Sequence, residues 1–117
     1  MTVRFVQDDD IIDYTPNADT PAGTVVVQGD LVGVTKLDIT AGVLGALAVE
    51  GIFDFPKAAG AGSDIAAGAK LYWDAADGVA TASANSGGQT PTTYPYIGKA
   101  VSPAAAGDAT VRTRLCP

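Results

Sequence analysis

The sequence predicts an all-β fold, a small glycine-cornered barrel or sandwich with at most short helical turns. The 117 residues include 14 Gly and 7 Pro, and these breakers leave no window of helical length with an apolar stripe of 3.6-residue period. Short runs of β-branched and aromatic residues lie between them, and such runs favour strands. The length suits one domain that covers residues 1–117.

Nine runs have the composition of strands. In chain order they cover residues 3–6, 11–14, 24–27, 31–34, 47–55, 70–73, 79–82, 94–101 and 110–115. The last run alternates strictly, which predicts a buried face with Val111, Thr113 and Leu115 and a solvent face with the two arginines between them. The run at 47–55 places its larger apolar side chains on one face, and it predicts the central strand.

Four short segments end in Ala-Gly, and each precedes a strand run. They are Thr20-Pro-Ala-Gly23, Ile39-Thr-Ala-Gly42, Ile65-Ala-Ala-Gly68 and Ala104-Ala-Ala-Gly107. Gly supplies the positive φ that a tight turn needs, and Ala lets chain segments approach closely. Their irregular spacing favours repeated corners of one small barrel over a solenoid or a blade array. Residues 74–78 predict a hairpin turn, and the polar stretch 83–93 predicts a mobile surface loop.

The composition excludes most catalytic chemistry. The chain has no histidine and a single cysteine, Cys116, so Ser-His and Cys-His pairs, imidazole metal ligands, thiolate clusters and internal disulfides are excluded. With 7 Lys+Arg against 13 Asp+Glu, the formal charge is -6, which argues against nucleic acid or an anionic membrane as the partner. We therefore expect a protein that is not an enzyme and holds no cofactor.

Two groups of residues have the composition of ligand sites but not the spacing. The acidic run Asp8-Asp-Asp10 with Asp13 lacks the glycine and the bidentate glutamate of a calcium loop. The segments Gly60-Ala-Gly62 and Gly68-Ala-Lys70 lack the residues that complete a phosphate-binding loop. We expect a solvated acidic turn and no metal site.

The first ten residues contain no apolar signal region and become acidic at Asp8, so we expect no signal peptide. The most apolar of the uncharged stretches, residues 39–49, is shorter than the roughly 18 apolar residues that a membrane-spanning helix needs. We therefore expect production in a cytoplasm and no membrane partner.

Aromatic residues provide candidates for a subunit interface. Tyr72 and Trp73 are adjacent in a predicted strand and point to opposite faces, whereas Tyr94 and Tyr96 share one face. A domain this small gains stability when it buries aromatic surface between copies. We assign Trp73, Tyr94 and Tyr96 to such an interface, with core and rim packing as the alternative.

Two segments are candidates for contact with a larger partner, and their residues are Val3, Arg4, Phe5, Phe55, Pro56 and Lys57. The first segment belongs to residues 1–7, where no Gly or Pro forces a turn, so we expect an N-terminal arm that adds as an edge strand to the partner. A strand of the domain's own sheet is the alternative. The second segment is a corner where Pro56 ends a strand and small residues follow.

Eight segments, spread over nearly the whole chain, form a recognisable series. They are Phe5-Val-Gln-Asp8, Gly29-Asp-Leu-Val-Gly-Val34, Asp38-Ile-Thr-Ala-Gly42, Val49-Glu-Gly-Ile-Phe53, Phe55-Pro-Lys-Ala-Ala-Gly60, Ile65-Ala-Ala-Gly68, Lys70-Leu-Tyr-Trp-Asp74 and Ala105-Ala-Gly-Asp-Ala-Thr-Val-Arg112. In this order they resemble the DUF2190 family, small tailed-phage and prophage proteins regarded as capsid cement or head decoration proteins.

The resemblance implies a fold of the β-clip or β-tulip kind and a protein without enzymatic activity. It implies a capsid decoration protein that joins the outer surface of the expanded head as a homotrimer. The implied partner is the major capsid protein of a tailed phage, and the implied location is the virion after production in the bacterial host cytoplasm. A small tail or baseplate β protein and a β-barrel ligand-binding module remain alternatives.

Overall fold

A computed structural model describes residue 3 and residues 10–116 of the chain. Within them, nine strands and no helix are present. In chain order the strands are β1 (Ile11–Tyr14), β2 (Val25–Gln28), β3 (Leu31–Thr35), β4 (Gly45–Ala48), β5 (Gly51–Pro56), β6 (Lys70–Asp74), β7 (Val79–Thr81), β8 (Tyr96–Ala100) and β9 (Thr110–Leu115). The predicted all-β class is confirmed.

The strands form two antiparallel sheets. The four-stranded sheet has the order β1-β4-β3-β2, and the five-stranded sheet has the order β5-β9-β8-β6-β7. A bridge between Lys57 and Ala80 brings the two edges of the five-stranded sheet together at one point. The sheets do not form a closed barrel, and the architecture is that of a sandwich.

The run predicted as one central strand, residues 47–55, is two strands in different sheets. β4 ends at Ala48 and β5 begins at Gly51, so the chain passes from the first sheet to the second between them. Gly51 has a φ of 137°, a conformation that residues with a side chain avoid, and the glycine therefore permits the crossing. The prediction of one central strand was wrong, because only β4 lies inside its sheet and β5 is an edge strand.

The core lies between the sheets and is built mainly from the five-stranded one. Phe55 is 2 % exposed, and its ring centre lies 6.0 Å from that of Trp73 and 6.4 Å from that of Phe53 in edge-to-face contacts. Val32 and Val34 of the first sheet belong to the same apolar cluster. β9 buries every second residue, as its alternating sequence predicts.

The four Ala-Gly corners pair two by two. Thr20 and Ile39 exchange two backbone hydrogen bonds of 2.8 Å, and Ile65 and Ala104 exchange a second pair of 2.9 and 2.8 Å. In each case the first residue of one corner is bonded to the first residue of another. The weak internal repeat of the sequence is therefore a repeated backbone bridge, used once beside each sheet.

Two aspartates lock the first pair of corners reciprocally. Asp19 precedes one corner and accepts the backbone N–H of Ala41 in the other corner at 2.9 Å. Asp38 precedes that other corner and accepts the backbone N–H of Ala22 at 2.8 Å. Both carboxylates satisfy backbone donors of the opposite corner, so each helps to hold the two corners together.

Candidate functional site

The predicted contact corner consists of Phe55 and Pro56, the last two residues of the edge strand β5, and of Lys57, which follows them. Phe55 is 2 % exposed and Lys57 is 5 % exposed, whereas Pro56 is exposed. A partner can therefore reach this corner through Pro56 and the backbone, while contact with the other two side chains requires rearrangement of the core. Contact at this corner stays a prediction.

The ammonium group of Lys57 forms its hydrogen bonds inside the protein. The Nζ atom donates hydrogen bonds to three backbone carbonyl oxygens, those of Ala58 at 2.8 Å, Ala105 at 3.0 Å and Asp108 at 3.0 Å. An ammonium group has three donors, and all of them are satisfied here. The side chain therefore ties the end of β5 to the corner that precedes β9.

The predicted N-terminal arm, residues 1–7, lies outside the described residues except for Val3, and Arg4 and Phe5 are among the residues not described. Val3 is 87 % exposed. The chain enters the described fold through β1, which is an edge strand of the four-stranded sheet. The arm and its alternative, a strand of the domain's own sheet, both stay predictions.

The three aromatic residues assigned to a subunit interface lie in different environments. Trp73 is 9 % exposed and packs against Phe55 in the core, which is the packing that the alternative predicted for this side chain. Tyr96 is half-buried, and its ring centre lies 5.9 Å from that of Tyr72. Tyr94 is half-buried just before β8. The two tyrosines at 94 and 96 retain surface for a second copy, and their place in an interface stays a prediction.

A cleft of about 310 Å³, lined by polar and apolar residues in similar proportion, includes Tyr94 and Asp74. The Asp74 carboxylate is buried and accepts the backbone N–H groups of Ala76 at 3.1 Å and Asp77 at 3.2 Å, and its second oxygen accepts the Tyr94 hydroxyl at 3.2 Å. Asp74 therefore shapes the hairpin turn that the sequence predicts at 74–78. Burial, followed by the negative charge of Asp74, raises the pKa of the Tyr94 hydroxyl above its ordinary value of 10.0.

We expect the Tyr94 hydroxyl to ionise above pH 10.0 in the folded protein. A raised folded-state pKa means that the fold favours the neutral hydroxyl, so this contribution to stability is complete below the ordinary pKa and is lost as the pH rises through the raised one. The difference in tyrosinate absorbance between the wild type and Tyr94→Phe isolates this group, and Asp74→Asn should lower its pKa. Ionisation of Tyr94 at or below pH 10.0 would contradict the contact with Asp74.

An apolar groove of about 490 Å³ opens beside the four-stranded sheet. Its lining includes Leu37, Val43 and Leu44, whose exposed fractions are 77 %, 51 % and 65 %. The ligand-binding alternative requires a sizeable apolar cavity inside a barrel. This groove is open to solvent and lies outside the core, so it is a feature of the surface.

Residues 83–93, predicted as a mobile loop, form a small exposed hairpin. A bridge joins Asn85 to Thr93, and the Ser86 N–H donates to the Thr92 carbonyl at 3.0 Å. The Thr92 N–H in turn donates to the Ser86 hydroxyl at 2.8 Å. These bonds give the stretch a defined conformation, and its mobility stays a prediction.

No group of three or more His, Cys, Asp or Glu side chains within residue 3 and residues 10–116 is arranged to hold a metal ion. The same part of the chain has no helix that is long and apolar enough to cross a membrane. Asp19, Asp38 and Asp74 instead accept backbone N–H groups within the fold.

The outer face of the five-stranded sheet carries exposed positive side chains, although the net charge of the chain is -6. The register places Lys70 opposite Lys99 and Lys99 opposite Arg114. Arg112 lies opposite Asp54 and pairs with it at 3.0 Å between Nε and Oδ1. The hydrogen bond from Arg112 lowers the pKa of Asp54 below its ordinary value. The alternation of β9 predicts the direction of its two arginines. The register of β9 with β8, and of β8 with β6, requires the structure.

Comparison with known proteins gives a match to a family. A family model described as phage cement protein matches residues 6–115. The matched range contains all nine strands and both pairs of corners. Neither the comparison with curated proteins nor the comparison with solved structures gives a match.

Proposed function

The chain belongs to the phage cement protein family, and on this basis we propose that it binds the outer surface of an assembled phage head and stabilises the shell. The family indicates a structural protein associated with a phage capsid rather than an enzyme. The proposal adds the partner, which is the major capsid protein, and the place, which is the outside of the virion head after production in the bacterial host cytoplasm. The match over residues 6–115 carries it.

Stabilisation of the shell follows from mass action. A ligand that binds the assembled shell but not its dissociated subunits stabilises the shell by about 2.7 kcal/mol per site when its free concentration is about 100 times Kd. Every site in the lattice contributes the same increment, so weak binding at each site becomes a large effect on the whole head. A protein that acts in this way needs no catalytic group, but it needs a fold that resists deformation.

The described part of the chain has the properties of such a rigid unit. Both pairs of corners are closed by backbone bridges, and Lys57 ties β5 to the corner before β9. Within the described residues, no buried polar side-chain atom lacks a hydrogen-bond partner. Each of these features resists local opening of the sandwich.

The proposal includes a homotrimer as the active form. The small domain buries a modest fraction of its surface as a monomer and therefore gains from association. Tyr94 and Tyr96 are half-buried, and we assign them to such a contact. A trimer that bound at three points would also hold the lattice more tightly than a single copy, because the later contacts are intramolecular.

We expect the purified protein to bind expanded heads that were produced without it and to raise the temperature at which those heads release DNA. The physical reason is the preferential binding to the closed shell. Co-sedimentation measures occupancy, cryo-electron microscopy places the added density, light scattering gives the mass of the free oligomer, and a DNA-binding dye reports release on heating.

Unassembled capsid subunits are the control, because a cement protein should bind them far more weakly than it binds heads. Equal binding to subunits and heads, or binding without a rise in the release temperature, would contradict stabilisation by cementing. Recovery of the protein in tails and not in heads would favour the tail or baseplate alternative.

A further inference from the structure

The outer face of the five-stranded sheet contains a row of positive charge. Lys70 of β6, Lys99 of β8 and Arg114 of β9 lie opposite one another in register, and Ile52 of β5 continues the row. The three charged side chains are exposed, and Ile52 is 61 % exposed. We refer to Lys70, Lys99 and Arg114 as the basic row.

The basic row has no acidic partner in the described part of the chain. The ion pair found there joins Arg112 to Asp54. These two residues lie opposite each other on β9 and β5, next to the pair Arg114 and Ile52 on the same face, and their charges neutralise each other. Residues directly opposite on neighbouring antiparallel strands have Cβ atoms about 4.5–5.5 Å apart, and like charges at that separation repel. Lys99 faces a positive charge on both sides, so the row costs stability in the free protein.

The charges of the chain are strongly segregated. Four of the 7 Lys+Arg lie on this face, and Asp54 is its exposed acid. Of the 13 Asp+Glu, the other 12 belong to the rest of the sequence together with three cations, which gives that remainder a formal charge of -9. A face of opposite sign within such an acidic protein is complementary to an acidic surface.

We propose that the basic row is the surface through which this protein docks on the capsid shell, against a cluster of acidic side chains of the shell. The inference rests on the proposed function and adds the chemistry of the partner. Arg114 beside the exposed Ile52 combines a charged planar group with apolar area, a pairing suited to protein interfaces, where arginine is enriched.

Other partners fit the charges less well. A nucleic acid would meet three unpaired cations on a protein whose remaining charge is negative, and phosphate binding depends on the number of phosphates neutralised. A second copy docked face to face would place one basic row against another. Contact between the basic row and a different surface of a second copy would produce rings or filaments, which the oligomeric state reveals.

The test replaces one lysine in the basic row and, in a second variant, one lysine outside it. Lys99→Glu reverses the central charge of the row, and Lys36→Glu makes the same change at another exposed lysine. We expect Lys99→Glu to weaken binding to expanded heads by about tenfold or more, and Lys36→Glu by less than about twofold. Added NaCl should weaken wild-type binding and should have less effect on Lys99→Glu.

Loss of binding by Lys99→Glu will not reflect loss of folding, because the new carboxylate faces Lys70 and Arg114 with opposite charge. Its thermal midpoint should equal or exceed that of the wild type. Equal head affinity of Lys99→Glu and Lys36→Glu would overturn the docking surface and leave the proposed function standing, whereas failure of the wild type to bind heads would overturn both.

Two further outcomes also overturn the inference. If Lys99→Glu dissociates the wild-type oligomer and keeps its head affinity, the row is an interface between copies. If the wild type retains duplex DNA on a filter and Lys99→Glu does not, the row binds nucleic acid.

Discussion

Replacement of Gly98 by alanine is expected to leave little folded protein. Gly98 has a φ of 151° and lies in β8 where the register with β6 shifts between Leu71 and Tyr72. A Cβ at this position would overlap the carbonyl oxygen of Arg114 in β9 and lie 2.9 Å from its carbonyl carbon. Because β8 lies between β9 and β6, relief of the overlap requires separation of two bonded strands. We expect the free energy of unfolding to fall by about 4 kcal/mol or more, out of the roughly 5–15 kcal/mol typical of a domain.

Gly107→Ala is the matched control for this substitution. Gly107 does not have a positive φ, and no heavy atom lies within 4 Å of the Cβ that alanine would add. Its stability should remain within about 0.5 kcal/mol of the wild type, since an unstrained surface change has a small effect. Soluble yield and thermal unfolding followed by far-ultraviolet circular dichroism compare the two variants. A Gly98→Ala protein that melts close to the wild-type temperature would show that β8 and β9 adjust to the added carbon.

The strands of this fold are largely predictable because their signals are local. β9 shows this best, since its alternation predicts both its position and its buried face. The break between β4 and β5 is different, because the run from Leu47 to Phe55 keeps a strand-like alternation across it. The φ of Gly51, the first residue of β5, redirects the chain between the strands, and the sequence does not reveal that φ.

The pairing of the corners shows the same limit at longer range. Each Ala-Gly segment predicts a turn on its own, but the bridges from Thr20 to Ile39 and from Ile65 to Ala104 join segments that are distant in sequence. Adjacent residues likewise point to opposite faces of a strand, but alternation alone does not decide whether Trp73 or Tyr72 enters the core. The packing of Trp73 against Phe55 decides it.

The candidate surfaces are less predictable than the fold, because they depend on register and burial. The basic row combines one residue from each of three strands, and no segment of the sequence contains all three. The net charge of -6 by itself argues against a basic face. Net charge is a sum over the chain, however, and carries no information about where each charge lies. Lys57 differs from the sequence-based expectation in the opposite direction. Its place at a corner predicts an exposed side chain, but the side chain is buried.

Replacement of Lys57 by methionine is expected to lower the free energy of unfolding by about 3 kcal/mol. Methionine fills much of the same volume but donates no hydrogen bond, so the carbonyl oxygens of Ala58, Ala105 and Asp108 lose the donor they share. A hydrogen bond to a charged group contributes about 1.5–3 kcal/mol. Because the substitution also removes the desolvation cost of a buried ammonium ion, the net loss is smaller than the sum of the three bonds. Chemical denaturation measures the change, and Lys36→Met, at an exposed lysine, is the control that should stay within about 0.5 kcal/mol.

The same pair of variants separates a structural role of Lys57 from a contact role. If Lys57 holds the corner, Lys57→Met lowers stability, and the variant that is still folded at low temperature binds heads as the wild type does. A variant with wild-type stability and reduced head binding would instead make Lys57 a contact residue and would mean that its three hydrogen bonds contribute little. The first outcome is expected, because a side chain that is 5 % exposed and uses all three donors internally has little left to offer a partner.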